Sequence, residues 1–131
     1  MLNSQNIFFN KKILIYGLGK SGLSTFKFLR KNNRVIKCDD RIKNNYKEIK
    51  KIKFDYIILS PGIDINKCSL RSFLKKNYKI IYTDLDIFYS HYKNNNKITI
   101  TGTNGKSTTA KILYEVLKAQ KTDVRLVGNI G

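Results

Sequence analysis

The chain has 131 residues, enough for one domain or for one domain and part of a second. Its hydrophobic share of 41% supports a packed core, while no apolar run approaches the ~20 residues of a membrane span and residues 1–12 lack a secretion-signal pattern. The formal charge of +17 raises a nucleic-acid reading, but the lysines are spread along the chain beside an excess of Ile, Asn, Tyr and Phe, the signature of AT-rich coding, so no nucleic-acid partner is expected.

In chain order, Ile13-Leu14-Ile15-Tyr16 reads as a buried strand that ends at glycines. Leu23, Phe26 and Leu29 form the apolar stripe of a helix over about 21–31. Val35-Ile36-Lys37-Cys38 is a second strand, closed by Asp39-Asp40. Residues 44–53 are polar and hold one or two helical turns, with Lys47, Lys50, Lys51 and Lys53 on a solvated face. Tyr56-Ile57-Ile58-Leu59 is a third strand, stopped by Ser60-Pro61-Gly62. Ser69 reads as the N-cap of a helix through Leu70, Phe73 and Leu74. Ile80-Ile81-Tyr82 is a fourth strand, and a helix runs from Leu85 to Tyr92. Lys93-Asn94-Asn95-Asn96 breaks the pattern as a linker. Beyond it come a strand at Lys97-Ile98-Thr99-Ile100, a helix carrying Ala110, Leu113 and Leu117, and a short second strand.

Strands that are apolar throughout and alternate with helices predict an α/β fold: a Rossmann-like parallel sheet covered on both faces. Ligands then belong at the carboxyl ends of the strands. Two cysteines, Cys38 and Cys68, have no metal-ligand spacing and suggest a reducing, cytoplasmic compartment.

Thr101-Gly102-Thr103-Asn104-Gly105-Lys106-Ser107-Thr108 is the most informative run. Strand, glycine turn, Lys-Ser and helix is the context of a phosphate-binding loop. Glycines let successive N–H groups curl around phosphate oxygens, and the helix N-terminus adds partial positive charge. Lys106 can reach the terminal phosphates and the Ser107 hydroxyl can hold Mg²⁺. The loop is a shorter variant of the general pattern, with Ile100 where the first glycine is usual. A P-loop-type ATPase domain is therefore expected to begin here.

Gly17-Leu18-Gly19-Lys20-Ser21-Gly22 is a second glycine loop, between the first strand and the first helix. The acidic pair Asp39-Asp40 lies near the ~20-residue offset of a dinucleotide fold. This combination suits a diphosphate-bearing ligand, with Asp39 or Asp40 accepting from ribose hydroxyls or a base N–H. The bland alternative is that the glycines serve tight helix–strand packing and the aspartates are solvated turn residues. NAD and a nucleoside diphosphate conjugate both fit the loop. A dehydrogenase does not need the ATP-type loop at 101–108, whereas an ATP-driven ligase acting on a UDP-linked substrate needs both.

With these motifs the chain resembles the Mur ligase family. The resemblance rests on residues 17–24, Asp39-Asp40-Arg41, Ser60-Pro61-Gly62-Ile63, residues 101–108 and Gly128-Asn129-Ile130-Gly131, in the family's order. It implies a UDP-substrate domain over 1–92 and the start of a central ATP-binding domain over 93–131. It also implies that Lys20 and Ser21 face a diphosphate, Asp39 and Arg41 frame a uracil, Gly62 lies against the uridine and Asn129 approaches the reacting carboxylate. Gly102, Thr103, Asn104, Gly105, Lys106, Ser107 and Thr108 would bind ATP, with Lys106 and Ser107 catalytic and Ser107 on Mg²⁺. The implied chemistry joins D-glutamate to UDP-N-acetylmuramoyl-L-alanine through an acyl phosphate, in peptidoglycan precursor synthesis, in a monomer with no membrane partner. The sequence departs from the family at Asp40, where a small hydroxyl residue is common, and at Asp84-Leu85-Asp86, where an acidic pair with Glu is usual. Family members have three domains, so this chain is expected to be an incomplete piece that does not catalyse ligation alone. Two other readings stand beside this one: a nicotinamide-dinucleotide-binding domain of a dehydrogenase or regulatory module, and a non-catalytic protein that keeps only the UDP site.

Overall fold

The computed structural model describes residues 7–128. They fall into two compact units, divided between Lys93 and Asn94.

The first unit is an α/β layer structure. Four strands, β1 (Lys12–Tyr16), β2 (Arg34–Cys38), β3 (Tyr56–Leu59) and β4 (Ile81–Tyr82), form one sheet in the order β2-β1-β3-β4. Every pairing is parallel, with Tyr16 level with Cys38 on one side and with Leu59 on the other. Helices α1 (Lys20–Leu29), α2 (Tyr46–Lys51), α3 (Arg71–Lys76) and α4 (Asp84–His91) complete the unit. Alternation along the strands sorts the core into two layers, because successive side chains point to opposite faces. Leu14, Tyr16, Ile57 and Leu59 pack with Ile49 of α2 and Leu74 of α3. Ile13, Ile15 and Ile58 pack with Leu29 of α1 and Ile87 of α4. Sheets buried on both faces read as continuous apolar runs, which is why these strands were legible.

The sheet order reverses direction at β1: the chain steps to β2 on one side and returns to β3 on the other. In open α/β sheets the crevice at such a switch point, outside the carboxyl ends of the strands, is where ligands bind. The loops after β1, β2 and β3 meet there.

Local signals explain the helix boundaries. Asn45 caps α2, its side chain accepting from the Glu48 N–H. At α4 the Asp86 carboxylate accepts from both the N–H and the hydroxyl of Thr83, at 2.7 and 2.8 Å, which closes a capping box. Ser69 is not the cap of α3. That position belongs to Leu70, which makes no side-chain cap bond, and the Ser69 N–H is drawn instead to Asp40, at 3.1 Å. A short 3-10 turn (Tyr78–Ile80) precedes β4, which leaves that strand shorter than the apolar run suggested.

The described residues of the second unit contain one helix, α5 (Lys106–Ala119). The strand expected at 97–100 and the short one after the helix are absent among the described residues. A strand exists only against a hydrogen-bonded neighbour, and the described residues of this unit supply none. Consistently, α5 has no buried residue, with Ile112 60% and Val116 49% exposed. No helix among the described residues is long and apolar enough to cross a membrane.

Candidate functional site

At the mouth of the first unit, Tyr16 ends β1 and Gly17 begins the turn into α1. Gly17 adopts φ +96°, a left-handed conformation that favours glycine. A Cβ there would also sit 2.8 Å from Ser60 Cβ and 2.9 Å from Ile63 Cγ1. Gly22, in the first turn of α1, is tighter: its Cβ would lie 1.9 Å from the Gly17 carbonyl oxygen. The Ser60 hydroxyl donates to that same oxygen at 2.7 Å. Gly17 and Gly22 therefore let the β1–α1 loop close against the Ser60-Pro61 turn. Gly19, the N-cap of α1, has φ −69°, and a Cβ there would meet nothing within 4 Å. Gly62 is equally open. The packing explanation thus accounts for two glycines of the loop and leaves Gly19 facing open space at the helix N-terminus.

Helix α1 begins without a side-chain cap bond and without an acidic residue in its first turn. Its N-terminal partial charge therefore has no partner within α1. Lys20, the first residue of the helix, is exposed, and Ser21 is half-buried. The Ser21 hydroxyl donates to Oδ2 of Asp84, at the start of α4.

Asp39 follows β2 and is buried, with 2% of its surface exposed. Its Oδ2 accepts from the Leu18 N–H at 2.6 Å and from an Arg41 guanidinium N–H at 2.7 Å. Its Oδ1 accepts from the Arg41 Nε–H at 2.8 Å and the Arg41 backbone N–H at 2.9 Å. A carboxylate has about four acceptor positions, so Asp39 is filled. The Arg41 guanidinium, joined by the two backbone donors and working against burial, holds the Asp39 carboxyl well below the usual carboxylate range. Asp39 here fastens the glycine loop, through Leu18, to Arg41. The Arg41 side chain stays 72% exposed and open to a ligand.

Asp40 gathers a second set of donors. The Tyr16 and Tyr46 hydroxyls donate to its Oδ1 at 2.6 and 2.8 Å, and the Ser69 N–H to its Oδ2. Burial works to raise this carboxyl, and the bonds from Tyr16, Ser69 and Tyr46 overcome it and hold it below its ordinary value. Tyr16, fully buried, is pushed up by that burial and by Asp40. Cys38 is pushed up to about 12, first by burial and then by the Asp40 and Asp39 carboxylates. Both cysteines are free thiols.

The second unit carries the other glycine loop. Gly102 and Gly105 have φ +151° and +75°, and Gly105 is the N-cap of α5. A Cβ at Gly105 would meet nothing within 4 Å. Lys106 opens the helix and folds back, its Nζ donating to the Thr103 carbonyl at 3.0 Å. Ser107 follows on the first turn, again without an acidic neighbour in that turn. Thr101 through Thr108 are exposed, Thr103, Asn104 and Thr108 included. Positive-φ glycines, an acid-free helix start, and a lysine tethered within the loop fit a polyphosphate. Among the described residues no group of three or more His, Cys, Asp or Glu could hold a metal. A cation here would rest on Ser107 and on the ligand's own oxygens. Asn129 lies outside the described residues.

Tyr16, Tyr46, Ser69 and Asp84 take part in contacts at this site that the sequence did not assign to them. Tyr16 ends β1 level with Cys38 of β2, and Asp40 follows Cys38 by two residues in the loop, a pairing visible only once β1 and β2 are in register. Asp84 is 63 positions from Ser21, and no local pattern joins them.

The chain is similar to curated UDP-N-acetylmuramoylalanine–D-glutamate ligases. It is 34% identical to that of Caldicellulosiruptor bescii over 92% of its length and 35% identical to that of Rickettsia prowazekii over 96%. The ligase of Clostridioides difficile is 32% identical over 92% of the chain. The chain spans about 31% of the length of each of these relatives. No protein-family model and no solved structure matches it.

Proposed function

We propose that this chain, a member of the Mur ligase family through its match to UDP-N-acetylmuramoylalanine–D-glutamate ligases, binds UDP-N-acetylmuramoyl-L-alanine with residues 1–92. Residues 93–131 begin the P-loop-type ATP-binding domain of the same ligase, which adds D-glutamate in peptidoglycan precursor synthesis in the cytoplasm, as a monomer. The observation that carries this reading is the pairing of two glycine loops. Each opens a helix whose first turn lacks an acidic residue. A nicotinamide reading uses one loop and leaves the other idle. It also calls on the acid after β2 to accept from ribose hydroxyls, and Asp39 has its acceptor positions filled.

In the first unit the diphosphate would lie over Gly19, against the N-terminus of α1, with Lys20 supplying charge and Ser21 a hydroxyl. The Arg41 guanidinium, held planar and oriented by Asp39, would frame the uracil, and Gly62 leaves room for the uridine. In the second unit the N–H groups of 102–108 would surround the phosphates. Lys106 would exchange the Thr103 carbonyl for phosphate oxygens, and Ser107 would hold Mg²⁺. Bound ATP and Mg²⁺ supply the phosphoryl group that activates the substrate carboxylate for attack by the amine. The work of Lys106 is electrostatic: a fixed positive charge placed where negative charge accumulates.

The test is calorimetric titration of the purified chain with UDP-N-acetylmuramoyl-L-alanine and, separately, with NAD. Saturable binding of the UDP conjugate, with NAD silent, is the expected result. NAD binding that UDP does not displace would overturn the ligase reading.

A further inference from the structure

The Ser21–Asp84 hydrogen bond creates a conflict at the diphosphate seat. A serine hydroxyl has one proton to donate. Here that proton goes to Asp84 Oδ2, so toward an incoming phosphate Ser21 presents only lone pairs. Asp84 also brings a full negative charge to the start of α1, which has no acid of its own in its first turn. A carboxylate at that position interacts favourably with the helix N-terminus, as a phosphate does. Both anions therefore seek the same hydroxyl and the same end of the helix.

Asp84 is an acid in the first turn of α4 and suits that helix's N-terminus, but this does not call for its bond across to α1. The capping of α4 is done by Thr83 and Asp86. Asp84 binds only its neighbour's N–H, at Leu85, with its second oxygen. Its long-range contact is to Ser21, 63 residues away.

We infer that Asp84 is an internal competitor for the diphosphate seat, a resident anion that holds Ser21 in the unliganded chain and must release it when a diphosphate binds. The inference rests on the proposed diphosphate site at α1. It makes Asp84 a tuning residue: it stabilises the empty loop and lowers affinity for the phosphate part of a ligand. It leaves the affinity for the nucleoside part unchanged.

The experiment titrates the full chain and its Asp84→Asn variant with UDP, uridine and inorganic pyrophosphate. Asp84→Asn is expected to tighten UDP and pyrophosphate by roughly three- to tenfold, the scale of one charge removed from a helix end, and to leave uridine unchanged. Asp86→Asn, on the same helix but turned to Thr83, is expected to give no such gain. If Asp84→Asn does not fold by circular dichroism, Asp84→Ser makes the same test with a neutral residue suited to a helix start. The inference is overturned if UDP and pyrophosphate bind no tighter, if uridine gains equally, or if Asp86→Asn gains equally. A separate outcome bears on the UDP reading alone. Wild-type chain that binds UDP no better than pyrophosphate would remove the uridine subsite, while a gain for pyrophosphate in Asp84→Asn would still uphold the competition at α1.

Discussion

Replacing Gly22 by alanine tests whether the β1–α1 loop is closed by contact between backbones. The new Cβ would fall 1.9 Å from the Gly17 oxygen and 2.8 Å from Ser60 Oγ. To reach ordinary contact, the start of α1 must shift outward by about 1 Å or more, a forced repacking that costs about 1–3 kcal/mol. The same shift breaks or stretches the 2.7 Å bond from Ser60 to Gly17, at about 1 kcal/mol. Alanine is better than glycine inside a helix by about 1 kcal/mol, which offsets part of this loss. The net expectation is a destabilisation of about 1–3 kcal/mol, or about 5–20 °C in the melting temperature of a domain this size.

The informative control is Gly19→Ala. Gly19 has φ −69° and open space above it, so alanine fits. Restricting the unfolded chain then leaves stability unchanged or raises it by up to about 1 kcal/mol. Its methyl group would stand where the proposed diphosphate comes close to the backbone, so UDP affinity is expected to fall. Thermal melts by circular dichroism and calorimetric UDP titrations on both variants separate the two effects. A Gly22→Ala melt within about 2 °C of wild type would refute the close-contact argument. Undiminished UDP binding in Gly19→Ala would remove the ligand from that glycine.

Four further outcomes are expected. The Asp39 carboxyl is held below its usual range in the fold, so its contribution is present above the ordinary carboxylate value of about 3.9. That contribution is lost as pH falls below this value; urea midpoints measured from pH 6 to pH 2.5 should fall less steeply in Asp39→Asn than in wild type. Tyr16→Phe removes a 2.6 Å donor from Asp40 and should cost about 1–3 kcal/mol in the same denaturation assay, since the acceptor is charged; no change would mean that the pair adds nothing. Cys38, fully buried with its thiol pushed up to about 12, should stay unmodified by a thiol reagent at pH 8 while half-buried Cys68 reacts, and equal rates read by peptide mapping would contradict this. Lys106→Ala should leave the helical signal of the chain unchanged and weaken ATP binding about tenfold or more; equal ATP affinity would remove the phosphate role from Lys106.

The first unit was legible because its signals are local and redundant. The strands are mostly apolar, β1 runs into Gly17, β2 into Asp39 and β3 into Ser60-Pro61-Gly62, and Phe26 and Leu29 of the expected stripe turn inward from α1 while Leu23 stays 45% exposed. What escaped was tertiary. Ser69 has the chemistry of an N-cap, yet its N–H is held by Asp40 across the sheet end, and the cap position passes to Leu70. Asp39 has the offset of a ribose acceptor, and only the folded chain reveals that Leu18 and Arg41 occupy it. The second unit shows the opposite failure. Residues 97–100 have the composition of a strand, but strand formation is a property of a pair, and the described residues there contain no partner.

These contrasts bear on how the candidate site works. The acids that a motif search would assign to the ligand, Asp39 and Asp40, are largely consumed in holding three loops together: after β1 through Leu18 and Tyr16, after β2 through Arg41, and after β3 through Ser69. Such use of acceptors leaves the crevice lined by donors and positive charge, namely the N-terminus of α1, Lys20 and the exposed face of Arg41. With the Asp39 charge paired to Arg41, an anionic ligand meets less repulsion than the acidic pair in the sequence implies, while Asp40, bonded to neutral donors, keeps its charge. The carboxylate that would conflict most directly with the proposed diphosphate is Asp84, which holds Ser21. On the proposed diphosphate site, affinity would be set by whether the carboxylate of Asp84 or the phosphate of the ligand holds Ser21, a balance that a single neutral substitution would shift.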